Sequence, residues 1–77
     1  MKRIEKFLLV AGFKPKYPTT PNRIWFESSC GDGWITISYY GKVYKAEYTV
    51  FFTPSIAKRM EYSSTRSADI LAWIQAQ

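Results

Sequence analysis

Apolar and polar positions change period along the chain, and each change marks an element. From residue 2 to 11 the period is helical. Ile4, Phe7, Leu8 and Ala11 fall within one stripe about 100° wide, with Lys2, Arg3 and Lys6 opposite. Gly12 follows where a C′ residue belongs, and Phe13 is placed to fold back on Leu8, a Schellman-type stop. Leu9 and Val10 flank Lys6 on the polar side. The expectation is that the second helix or a loop covers them; the alternative is a contact surface.

Next comes "KPKYPTTPN", which holds three of the four prolines and no apolar period, so it reads as an extended connector. Alternation with a period of two begins at "RIWFES", residues 23 to 28. It resumes in "GWITISYY", 33 to 40, and "VYKAEYTVFF", 43 to 52. "SSCGDG" is the first turn, with Gly31 and Gly33 available for positive φ. Gly41-Lys42 is a two-residue loop of the type II′ kind, whose twist suits the flanking strands.

That turn sets a register. It pairs Tyr40 with Val43, Tyr39 with Tyr44, Ile37 with Ala46 and Ile35 with Tyr48. One face then carries Ile35, Ile37, Tyr39, Tyr44, Ala46, Tyr48, Val50 and Phe52. The other carries Trp34, Thr36, Ser38, Tyr40, Val43, Lys45, Glu47, Thr49 and Phe51. Placing Ile24 opposite Ile37 and Phe26 opposite Ile35 adds both to the apolar face, so the register agrees with itself. In "AKRMEYSS", 57 to 64, Met60 and Tyr62 alternate as in a fourth strand, although Thr53-Pro54 could also start a short helix. Ser63, Ser64 and Thr65 offer N-cap oxygens to a last helix with Ile70, Leu71, Trp73 and Ile74 as its apolar arc and Asp69 near its start.

The expected fold is a single α+β domain over residues 1–77, ordered α-β-β-β-(β)-α. Its antiparallel meander sheet has both helices packed on one face. Seventy-seven residues bury only about 60% of the surface of the unfolded chain. An apolar content of 47% and an aromatic content of 18% offset that shortfall, because large rings bury much area per residue.

Composition narrows the chemistry. Cys30 is the only cysteine and histidine is absent, which excludes an internal disulfide and points to a reducing, cytoplasmic setting. One Cys cannot supply the roughly four ligands of a zinc site, so neither metal nor cofactor is expected. No stretch approaches the roughly 20 apolar residues of a membrane span. Without His, acid–base chemistry near neutral pH falls to a carboxylate, Lys, Tyr or Cys30. Glu27, Glu47 and Glu61 belong to the open face of the sheet, Asp32 to a turn, and Cys30 has no imidazole to activate it. A binding protein rather than an enzyme is expected.

Charge then indicates where binding occurs. Residues 1 to 23 hold Lys2, Arg3, Lys6, Lys14, Lys16 and Arg23 against Glu5 alone, while residues 24 to 77 balance five cations with five carboxylates. The whole net charge of +5 therefore sits in the first third, as expected of a phosphate-backbone contact in RNA or DNA. A second candidate is the outer sheet face, where Trp25, Trp34, Tyr40, Val43, Lys45 and Phe51 would form an aromatic patch. That patch suits base stacking, a protein partner or a homodimer, as in the small regulators and inhibitors that mobile elements encode.

The α-β-β-β-α order resembles double-stranded RNA-binding domains. The opening "FLLVAGF" is similar to the helix-then-Gly-Phe start of HicA-type toxins, which share that layout. The first resemblance implies an RNA-binding role. The chain departs from the first family in having only Arg66 within "SSTRSAD", where that family has a run of lysines. It departs from the second in reading "NRIWF" where a histidine is required.

Overall fold

A helix with an apolar stripe must stop where its stripe ends, and α1 (Lys2–Val10) does so at Gly12, whose φ is +97°. Phe13 N–H donates to the Leu8 carbonyl at 2.9 Å and Gly12 N–H to that of Leu9 at 3.1 Å, the two bonds of a Schellman stop. The computed structural model describes all 77 residues. After α1 come β1 (Lys14–Pro15), β2 (Arg23–Glu27), β3 (Gly33–Tyr39), β4 (Tyr44–Thr53), β5 (Ile56–Ser64) and α2 (Ser67–Gln75). The strands form one antiparallel meander in the order β1-β2-β3-β4-β5. No helix is long and apolar enough to cross a membrane.

The Gly41 turn holds the expected register. Gly41 has φ +86° and Lys42 does not share the sign, as type II′ geometry requires, and Tyr40 N–H donates to the Val43 carbonyl at 2.9 Å. Ile24 pairs with Ile37, Phe26 with Ile35, Ile37 with Ala46 and Ile35 with Tyr48. These inward residues form one buried cluster with Ile4 and Leu8 of α1 and Ile70 and Ile74 of α2, so both helices cover the same face. The helices run in the same direction. Arg3 and Ile4 neighbour Ser67, Ala68 and Leu71, and Phe7 and Ala11 neighbour Ile74 and Gln75.

Several expectations are corrected. The connector is not all irregular: Lys14–Pro15 pairs with Phe26 and Glu27 as a fifth strand. Residues 56–64 are strand, as the alternation of Met60 and Tyr62 leads one to expect, and only the alternative falls: Thr53 caps the β4–β5 turn by accepting from the Ile56 N–H at 3.1 Å rather than starting a helix. Leu9 and Val10 are not covered. Val10 is 80% exposed, because α2 meets α1 along Arg3, Ile4, Phe7 and Ala11 instead. Phe52 leaves the inner face, 66% exposed, where the β4–β5 register shifts between Phe51 and Thr53.

The start of α2 is built differently from the expected serine or threonine cap. Its N-cap is Arg66, whose side chain makes no capping bond, because the preceding strand extends to Ser64. Ser64 Oγ accepts from the Arg66 N–H at 3.2 Å and donates to Asp69 at 2.7 Å, while the Arg66 guanidinium donates to both Asp69 oxygens. The hydrogen bonds from Arg66 and then Ser64 hold the Asp69 carboxyl below its ordinary range. Of the two glycines in the first turn only Gly31 has positive φ, +72°. Gly33 serves another need: a Cβ there would collide with the Thr49 carbonyl oxygen of β4.

Two outcomes follow. Gly33→Ala forces β3 and β4 apart and lowers unfolding stability by about 1–3 kcal/mol in a denaturant titration, despite an ordinary φ. Because the Asp69 pKa is depressed on folding, its stabilisation is complete above the ordinary aspartate value of about 3.9 and fades as pH falls through the lower folded value. Asp69→Asn removes that component, so the acid limb of its stability–pH curve is shallower than that of the unaltered protein.

Candidate functional site

Alternation along five strands leaves one face of the sheet without helices, and the register arranges it in rows. The first row runs Lys14, Glu27, Trp34, Thr49, Arg59; the second Trp25, Thr36, Glu47, Glu61; the third Arg23, Ser38, Lys45, Ser63. Lys16 joins the second row, since its N–H donates to the Trp25 carbonyl at 2.8 Å. Thr36 and Ser38, in the middle of β3, are buried on this face, so the larger neighbours close over short side chains at its centre.

The β1–β2 side of the face is aromatic and cationic. The Trp25 and Trp34 rings lie 6.4 Å apart, Trp34 lies 5.2 Å from Phe51, and Tyr17 meets Trp25 edge-on at 5.2 Å. Lys16 Nζ stands 5.8 Å over the Trp34 ring and the Arg23 guanidinium 6.0 Å over that of Trp25. Both distances are within reach of a cation–π attraction. Lys16 also lies 4.0 Å from Glu27, at the limit of an ion pair, and neither Lys14 nor Arg23 is paired with a carboxylate.

The β4–β5 side is charged but internally balanced. Glu47 and Glu61 stand directly opposite one another, a repulsive pair on a sheet. Arg59 Nη2 reaches both carboxylates, 3.1 Å from Glu61, and Lys45 lies 3.5 Å from Glu47. Lys45 is thus committed to Glu47. The excess positive charge of this face therefore gathers on β1 and β2, around the tryptophans.

The six N-terminal cations do not form one cluster. Lys14, Lys16 and Arg23 join the outer face, whereas Lys2, Arg3 and Lys6 are exposed on α1 in the helix layer. A cleft of about 440 Å³ lined by Met1, Lys2, Glu5 and Thr19–Pro21 has Lys2 as its one cationic side chain. It lies against the connector, whose Thr20 exchanges hydrogen bonds with Arg23. Of the aromatic candidates, Trp25, Trp34 and Phe51 are brought together. Tyr40, 69% exposed, and Val43 stand apart at the Gly41 turn, beyond the Lys45 row.

Sequence reasoning missed Tyr17 and Arg59. The prolines around Tyr17 concealed a residue following a short strand, and Arg59 could not be set against Glu47 until the β4–β5 register was known. One polar atom here lacks a partner: Trp25 Nε1 is buried and makes no hydrogen bond. An orphaned donor costs about 1–3 kcal/mol. Trp25→Phe, which deletes it and keeps a ring, is therefore expected to be neutral or mildly stabilising in thermal unfolding, whereas Trp25→Ala destabilises by about 2 kcal/mol or more through lost burial.

No family model, curated protein or solved structure matches this chain.

Proposed function

We propose that the protein is a non-enzymatic module that binds single-stranded nucleic acid across the outer face of its sheet. The observation that carries this reading is the coincidence of stacking surface and excess positive charge, three cations against Glu27 alone. Trp25, Trp34 and Tyr17 share the β1–β2 side with Lys14, Lys16 and Arg23, while the carboxylates of Glu47 and Glu61 are occupied by Lys45 and Arg59. Unpaired bases stack on aromatic rings whatever their identity, and cations beside the rings meet the phosphates between bases. Lys2, which lines a cleft with Thr19–Pro21, extends the phosphate track toward α1 past the connector that also bonds Arg23.

The physical division of labour is simple. Stacking supplies most of the short-range affinity, about 1–3 kcal/mol per base. The cations supply long-range attraction and salt dependence, with a logarithmic slope of about −0.7 for each phosphate neutralised on a single strand. A duplex hides its bases and is bound less well by such a face.

Fluorescence anisotropy with labelled single strands of RNA and DNA, and with a duplex, at several salt concentrations tests this. Expected are single-strand preference, an affinity that falls steeply with salt, and a loss of about 5- to 100-fold in Trp34→Ala. Replacing Lys14, Lys16 and Arg23 together by Ala makes the slope shallower by about 2. Absence of binding at low salt, or binding indifferent to Trp34→Ala, overturns the proposal and leaves the aromatic face to a protein partner.

A further inference from the structure

The two edges of the sheet are unequal. The β1 edge is two residues long, ends at Pro15 and is followed by Pro18, so it offers almost no free ladder. The β5 edge is nine residues long, contains no proline, and keeps an unbroken register with β4 from Ala57 to Ser64. It pairs with β4 alone, so one row of its backbone N–H and C=O groups has no strand to meet.

We infer that two copies of this chain pair through β5, antiparallel and centred on Met60, joining two five-stranded sheets into one of ten strands. The register follows from charge and parity. A continuous sheet that keeps its helices on one side must place each residue opposite one facing the same way, so the two-fold axis passes through a residue rather than between two. Centring on Arg59 sets Arg59 against itself, and centring on Glu61 sets Glu61 against itself; both bring like charges face to face. Centring on Met60 places Arg59 opposite Glu61 of the second copy, twice, and engages all nine residues from Ile56 to Ser64.

Arg59 can serve both sets of contacts. Its bonds to Glu47 and Glu61 within the chain are made through Nη2, leaving Nε and Nη1 free to donate to a carboxylate across the seam. On the helix side the same register sets Lys58 opposite Tyr62 of the second copy, a ring stacked on Trp73 at 5.7 Å. Ile56, 59% exposed in the single chain, comes opposite Ser64 of the second copy, beside the start of its α2. The outer faces of the two copies then form one surface. The pairing itself does not rest on any ligand of that surface.

Sedimentation equilibrium of the full chain, from micromolar to near-millimolar concentration without nucleic acid, tests the inference. A monomer–dimer equilibrium is expected. Glu61→Lys sets two cationic pairs across the seam, while within the chain the new ammonium stands opposite Glu47 and relieves a like-charge pair. It should leave the circular dichroism unchanged and weaken the dimer by about 30-fold or more. Arg59→Glu combined with Glu61→Lys restores opposite charges and recovers the dimer, and Trp34→Ala leaves it intact. A protein that stays monomeric, a dimer indifferent to Glu61→Lys, or a folded double variant that fails to recover overturns the inference. A dimer lost in Trp34→Ala but not in Glu61→Lys overturns it in favour of pairing through the outer face.

Discussion

The alternation along β3 decides both surfaces of the protein, and the turn at Gly41-Lys42 holds it in place. Ile35 and Ile37 point into the core beneath two helices, and Trp34, Thr36 and Ser38 point away. A slip of one residue would put isoleucine in water and indole into the core, so the register has no near-degenerate competitor. Each neighbouring strand supports that choice with its own apolar residues, Ile24 and Phe26 on one side and Ala46 on the other. The helices seal the arrangement by running alongside one another over the same face.

The outer face gains its character from what the core leaves behind. Short side chains at its centre, rings toward β2 and ion pairs toward β5 give it two halves of different chemistry. Neutralisation of Glu47 and Glu61 is required by their own cross-strand repulsion, whatever the face binds. Its by-product is a net positive field on the half that carries the tryptophans. Structural necessity on β4 and β5 thereby shapes the electrostatics of β1 and β2.

Much of this was legible from residue pattern. The β2–β3–β4 register, the stop at Gly12 and the shared face of the helices all followed from period, turn chemistry and a register consistent with itself. What escaped detection depended on tertiary placement. A two-residue strand holding Pro15 gives no alternation to read. The bareness of Leu9 and Val10 depends on which flank of α1 meets α2, and the departure of Phe52 on a register shift at the far hairpin. Six cations within the first 23 residues looked like one cluster, yet the fold divides them between layers, because α1 and the sheet rows face opposite ways. Gly33 looked like a turn residue because composition cannot reveal how near a neighbouring backbone passes.

The contrast between the blunt β1 edge and the open β5 edge bears on how far an assembly can grow. Strand addition propagates into a filament only when each new member brings a fresh template. Here a pair joined through β5 would present just two proline-terminated stubs at its outer limits. Such an object is finite by construction, which gives a small, aromatic-rich chain a way to satisfy its one exposed backbone without starting a fibre.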